Sequence, residues 1–397
     1  MNLKKQAFHI YSYAFASCLA VTDAVWVVLL TARGFTLAQV GLAEGIFHCV
    51  SLAAELPSGT AADLLGRRRT LALSGLMACA GALVMALGHD FASVCLSMAL
   101  QALSYNLISG TLEALSYDSL VQAGRSETFL QLDANCSQLQ SAAQLISNAC
   151  SLLSAWFSYL GLYLIEAVVA LLRTAAALGL EEPVVTATQA ARREHPLRNL
   201  RTDLRRHLRQ TSEFLRGSRR ARQCIAADAV ISLPAYLSGM YLQQRLVENG
   251  FPTRWLGLPL LLGVTGGMFG VAVGRRLTIR RLRPWYLFTA LLCAGGTVAA
   301  GCAPIPLAVA GSMLISASTQ MWFLHAQKAL HDAFPSDQRA TLVSVDSMAY
   351  SVLMIVASPV TGWAGDLTGH SGAGLLLLGA VVLCSGLAVL LPKRIIK

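Results

Sequence analysis

Long apolar runs, separated by short polar stretches, fill most of the chain. They fall at 8–30, 37–57, 70–88, 91–114, 129–153, 158–180, 223–246, 256–273, 285–303, 306–327, 340–361 and 373–391. Each comes close to the roughly 20 apolar residues that a membrane-crossing helix needs. The pattern predicts an all-α polytopic membrane protein with twelve spanning helices. One long polar stretch, 181–222, divides the chain into six-span halves at 1–180 and 223–397. Within it Leu197, Leu200, Leu204, Leu208 and Leu215 recur at helical spacing between arginines. That spacing predicts an amphipathic helix lying on the anionic lipids of the inner leaflet and tethering the two halves.

Composition agrees. Of 397 residues 55% are hydrophobic and 13% charged, whereas a soluble domain carries about 25% charge. The net charge of +10 would suit a nucleic-acid binder, but the positions of the basic residues argue against one. Of 31 Lys and Arg, 27 fall at the two termini or in alternate loops that share one side of the membrane. Arg33, Arg245 and Arg254 are alone on the other side, and Arg173 lies within a span. Basic residues mark the cytoplasmic side, so both termini are expected there, in the cytoplasmic (inner) membrane. Trp26, Trp156, Trp255 and Trp363 fall near the opposite, outer ends, as an aromatic belt would. Lys4 and Lys5 precede a span-length run, which predicts a retained first helix rather than a cleaved signal.

The chemistry that the sequence lacks narrows the function. The ten cysteines form no C-x-x-C pair, and no metal-ligand spacing is visible. There is no phosphate-binding G-x-x-x-x-G-K-[ST] and no H-E-x-x-H. The expectation is a protein that is not an enzyme, uses no cofactor, metal or nucleic acid, and works as a monomer.

Ionisable residues inside a membrane are costly and usually functional. Helix two carries Glu44, His48, Ser51 and Glu55 on one face, a candidate proton route. Helix five carries Asp133, Ser137, Gln140, Gln144, Asn148 and Ser151 on one face, with Gln140 and Gln144 near mid-span. Glu166 and Arg173 stand seven residues apart on helix six and read as a charge-neutralising pair. Asp23 on helix one and Glu44 on helix two lie at one depth, about 10 Å below the outer surface at 1.5 Å per residue. They are candidates to hold a proton together.

Gly59, Gly66, Arg67 and Arg68 follow span two, and Gly267, Gly274, Arg275 and Arg276 follow span eight with the same spacing. The offset suggests a parallel repeat of six-helix units. The stretch Gly59-Thr-Ala-Ala-Asp63-Leu-Leu-Gly66-Arg67-Arg68-Arg69 resembles the loop motif G-x-x-x-D-[RK]-x-G-[RK]-[RK] of the major facilitator superfamily. Leu64 departs from it, and Val271 replaces the Asp in the second copy. Glu55-Leu-Pro57-Ser-Gly59 resembles a bacterial branch with E-x-P-[ST]-G before this loop. Ser109-Gly110-Thr111-Leu-Glu113-Ala114-Leu-Ser-Tyr117-Asp118 and Arg339-Ala340-Thr341-Leu-Val-Ser344 resemble that branch too. Asn106 stands where the drug/proton antiporters carry an arginine in an R-x-x-x-G setting, and helix five lacks their Gly-Pro motif.

The resemblance implies two pseudo-symmetric six-helix bundles and a gate built from Gly59, Asp63, Gly66, Arg67 and Arg68. Physically, Gly59 and Gly66 allow close approach and a tight turn. Asp63 can accept from Arg67 or Arg68 or face a helix N-terminus. It also implies that helices one, four, seven and ten line a central cavity. Those helices carry Trp26, Gln101, Tyr105, Asn106, Asp228, Tyr236, Gln320, Trp322 and His325, which join Gln140 and Gln144 as substrate-cavity candidates. Asp23, Glu44, His48, Glu55 and Glu113 are the proton-coupling candidates. The expected activity is secondary active transport of a small, partly apolar molecule, proton-coupled and outward. The alternatives are nutrient uptake by the same machinery, or a non-transporting receptor or scaffold that uses 181–222.

Overall fold

A computed structural model describes residues 2–183, 209, 217–279, 281–302, 304–333 and 339–389. The amphipathic helix expected within 181–222 lies almost wholly outside these residues. The described chain is helical throughout. Its helices are α1 (Leu3–Ser17), α2 (Trp26–Thr31), α3 (Leu37–Leu65), α4 (Arg67–Leu87), α5 (Phe91–Ile108), α6 (Thr111–Gln122), α7 (Phe129–Ala149), α8 (Tyr159–Leu178), α9 (Arg219–Glu248), α10 (Gly257–Gly274), α11 (Leu282–Cys302), α12 (Ile305–Ala333), α13 (Arg339–Thr368) and α14 (Gly372–Ala388). Among the described residues nine helical segments are long and apolar enough to cross a membrane.

Every apolar run of the sequence falls on these helices, but two runs are interrupted. The run at 8–30 is split into α1 and α2 by residues 18–25. The run at 91–114 is split after Ile108, where Gly110 adopts φ +69° before α6 begins. That left-handed turn suits a residue without Cβ.

The chain forms two compact units. The first comprises residues 1–24 and 46–206, the second 25–45 and 207–397. Residues 25–45, which hold α2 and the start of α3, therefore group with the C-terminal helices, although they precede the 181–222 divide in sequence.

In the first unit α1 packs on α7 and α8, and α4 lies between α5 and α8. One core joins Ile10, Tyr13, Leu71, Leu115, Leu120 and Leu180. A second is made of small residues, Ala78, Cys79, Ala82, Ala167 and Ala170. Lipid tails are as apolar as the helices, so close van der Waals packing of small residues holds such helices together.

In the second unit α12 lies between α10 and α11, α14 packs on α11, and α9 packs on α13. Residues 25–45 dock on α13 through backbone contacts. The Asp366 carboxylate accepts from the N–H groups of Leu37 (2.9 Å) and Ala38 (2.8 Å), the otherwise unbonded first donors of α3. Ser358 Oγ donates to the Gly41 carbonyl at 2.9 Å. A Cβ on Gly362 would stand 2.0 Å from the Leu37 carbonyl oxygen, so the helices meet at backbone distance.

Candidate functional site

The interruption between α1 and α2 has few groups of its own to complete its backbone hydrogen bonds, so other helices supply them. Ser147 Oγ of α7 accepts from Ala20 N at 2.8 Å and donates to the Cys18 carbonyl at 3.2 Å. Glu166 Oε2 of α8 accepts from the N–H groups of Val21 and Thr22, the latter at 3.1 Å. The expected Glu166–Arg173 pair is one of charge, each group stabilising the other's ionised form, while their hydrogen bonds go elsewhere. Glu166 is bound to the backbone of the interruption. Arg173 Nη2 donates instead to the Ser74 carbonyl (2.8 Å) and to Ser104 Oγ (2.7 Å).

The interruption leaves Asp23 exposed. Its Oδ2 accepts from Gln144 Nε2 at 2.9 Å, so a proton-coupling candidate and a substrate candidate stand together. Asn148 Nδ2 donates to the Gln144 carbonyl at 3.0 Å, continuing the polar face of α7. Gln140 on the same helix is partly exposed. Trp26 opens α2 on the far side of the interruption. Asp23, expected at the depth of Glu44, belongs to the first unit, and Glu44 to the second. Glu44 is buried and interacts with Tyr241 of α9.

The remaining helix-two candidates behave differently from one another. His48 is buried, with its ring 5.4 Å from that of Phe47. Glu55 is partly exposed. Ser51 accepts from Asn106 Nδ2 at 3.0 Å, and Asn106 also donates to the Ala102 carbonyl. Asn106 is thus a buried tie between α3 and α5 rather than a free cavity group. On α5 Tyr105 is 60% exposed and Gln101 is partly exposed. Glu113, in the first turn of α6, is exposed.

The loop between α3 and α4 is held by partners that the motif did not name. Gly66 takes φ +88°, and a Cβ there would meet Glu182 Oε1 at 2.9 Å. Glu182 accepts from the N–H groups of Arg67 (2.7 Å) and Arg68 (2.8 Å), capping α4. The Arg67 guanidinium donates to the Ala114 carbonyl at 2.6 Å and pairs with Asp118. Arg68 donates to the Leu178 carbonyl. Among the described residues nothing stands within 4 Å of where a Cβ on Gly59 would be. The side chain of Asp63 lies outside the described residues.

In the second unit Tyr236 is 46% exposed and Gln320 is exposed. Trp322 is the reverse of a cavity residue. It is 2% exposed and packs edge-on against Tyr286, with ring centroids 4.7 Å apart. His325 is turned to the Gly274 carbonyl, 3.0 Å away. Asp228 is buried within hydrogen-bonding reach of Asp346 on α13. Asp346 is not among the residues that the sequence singles out.

The sequence model of the Major Facilitator Superfamily matches residues 11–324, and the chain belongs to that superfamily. It is accordingly a multi-pass membrane protein. Its fold is similar to that of the nucleoside transporter NupG, at TM-score 0.75 and 14% identity over 98% of each chain. A peptide transporter POT in complex with sulfate follows at TM-score 0.69 and 13% identity, over 98% of this chain and 93% of that one. A D-xylose–proton symporter aligns at TM-score 0.65 and 15% identity, over 97% and 95%. No curated protein matches the chain in sequence.

Proposed function

We propose that the chain is a secondary active transporter of the cytoplasmic membrane. It moves a small, partly apolar molecule by alternating access and couples that movement to protons, in the outward direction. The observation that carries the reading is the interrupted first helix. Discontinuous spanning helices mark substrate and ion sites in transporters. Here the interruption exposes Asp23 against Gln144, on the polar face of α7. An exposed carboxyl bound to an amide donor can exchange a proton without breaking the helix packing, because Glu166 and Ser147 hold the backbone of the interruption. Tyr105 in the first unit and Tyr236 in the second are each exposed aromatic side chains. The solved relatives named above are transporters of nucleosides, peptides and a sugar, which supports a small organic substrate. The symporter among them makes uptake the second reading.

The test is a substrate panel in proteoliposomes, with and without a pH gradient. Accumulation of one substrate class that needs the gradient is expected. Asp23→Asn should abolish pH-driven accumulation and keep exchange between equal pools. Asp23→Asn that still concentrates substrate would remove Asp23 from the coupling.

A further inference from the structure

The second unit holds two carboxyls that the interrupted first helix does not explain. Asp228 on α9 and Asp346 on α13 lie within hydrogen-bonding reach of each other. Asp228 is 6% exposed. Asp346 Oδ2 accepts from Gln327 Nε2 of α12 at 3.1 Å. The two Oδ1 atoms, one on each residue, are buried with no donor. A third polar group points to the same place. The Trp322 indole nitrogen lies beside the Asp228 carboxyl, in a side chain only 2% exposed, and has no aligned partner.

The groups facing the pair can be named helix by helix. From α12 come Gln327 and Trp322, while His325 is turned away to the Gly274 carbonyl and Lys328 is exposed. From α11 comes Tyr286, whose hydroxyl is bonded to Ser385 of α14 at 2.7 Å. Among the described residues neither carboxyl has a cationic hydrogen-bond partner. Two carboxyls this close, buried and without a counter-ion, resist ionising together. A hydrogen bond between two carboxyls also requires a proton, since ionised carboxylates only accept.

We infer that Asp228 and Asp346 form a proton-binding site of the second unit, in which one proton is shared between the two carboxyls. Loading converts a dianion to a monoanion, with the proton taken from water. Release returns it and leaves two charges whose repulsion would push α9 and α13 apart. The pair titrates as a unit. Trp322 reports its charge, because the indole N–H gains an ionised acceptor when the proton leaves. The site stands apart from Asp23, and only its use in transport rests on the reading above.

The test uses the full-length protein in nanodiscs. Infrared difference spectra between acid and alkaline pH should contain a carboxyl C=O band. That band should vanish in Asp228→Asn and equally in Asp346→Asn, and remain in Glu127→Gln, which alters an exposed carboxyl. Amide replacements keep the size of the side chain, and size-exclusion elution checks folding. The pH dependence of indole emission should disappear in Trp322→Phe and in Asp228→Asn. A band that survives in both Asp variants overturns the site. So does loss in one variant alone, because the proton would then not be shared. Displacement of the band by sodium at fixed pH would make it a metal-cation site and overturn it as well. If the band behaves as expected while transport ignores the pH gradient, the site stands and proton coupling falls.

Discussion

Glu166 in the first unit and the Asp228–Asp346 pair in the second are acids embedded among apolar helices, used in opposite ways. Glu166 gives its carboxylate to two backbone N–H groups that the interrupted helix leaves open. Its charge is met by donors that cannot move away. Asp228 and Asp346 have one amide donor between them from outside the pair, plus an indole that is not aligned. Their charge is met by nothing fixed. The first arrangement makes a carboxylate part of the scaffold. The second leaves a carboxyl whose state must change with protonation. Burial is common to both; what differs is the supply of fixed donors.

The largest expected effect tests the scaffold side. Glu166→Ala strips the acceptor from Val21 and Thr22. Hydrogen bonds to charged groups are worth about 1.5–3 kcal/mol, and a buried donor left open costs about as much. A loss of about 3 kcal/mol is expected, read as reduced resistance to denaturant in detergent. Stability equal to the parent would show that water or other groups can hold the interruption, and the comparison would lose its first term.

Asp366 comes next and asks whether the difference belongs to the units or to the way the acid is used. It lies in the second unit, yet it caps the first N–H groups of α3 as Glu166 caps the interruption. Carboxylates at partly buried helix N-termini contribute up to about 2 kcal/mol. Asp366→Ala should cost about that much, and Asp366→Asn should cost less because one carbonyl acceptor remains. A negligible loss in both would mean that the Gly362 and Ser358 contacts alone dock residues 25–45.

The spans were legible in the sequence, because an apolar run of membrane length has few other uses and the basic residues mark its sides. The helix-four interruption had a signal in Gly110. The helix-one interruption had none. Residues 18–25 contain neither Gly nor Pro, and the groups that stabilise the opening, Ser147 and Glu166, come from helices far along the chain. The Arg67–Asp118 pair was legible as two residues but not as a contact, since the motif suggested Asp63 as the partner. Asp346 was missed because it stands seven residues into α13, where a lone acid reads as an ordinary polar start. Its isolation inside an apolar run was the available signal, and its partner on α9 is set by packing alone. Trp322 read as a cavity residue by helix number. A helix number assigns a helix to the cavity, not each side chain on it.

Asp228→Asn tests the other side of the comparison, with the opposite sign. The amide offers N–H donors to the open Asp346 Oδ1 and removes a buried charge that has no fixed partner. Replacing a buried ionic group by a neutral one is often neutral or stabilising. Stability should stay level or rise by up to about 1 kcal/mol near neutral pH. A loss comparable to that of Glu166→Ala would place Asp228 among the scaffold acids.

The smallest effect is expected at Asp90, which does in water what Glu166 does among the helices. It is the N-cap of α5. One carboxylate oxygen accepts from the Ser93 N–H at 2.9 Å and from the Ser93 hydroxyl. The hydroxyl first, and the backbone N–H second, hold the Asp90 carboxyl below the usual carboxylate range. Water competes for the same groups, so the cap contributes far less than Glu166. Its stabilisation is fully present above the unfolded carboxyl's pKa of about 4 and is lost as pH falls through the lower folded value. Asp90→Ala should therefore lower the unfolding midpoint slightly and by a constant amount from neutral pH down to about 4. Below that the parent should fall towards the variant. A difference that grows in acid would reverse the sign and show that the protonated carboxyl is the bonded form. That would make donor supply a poor guide to which acids titrate.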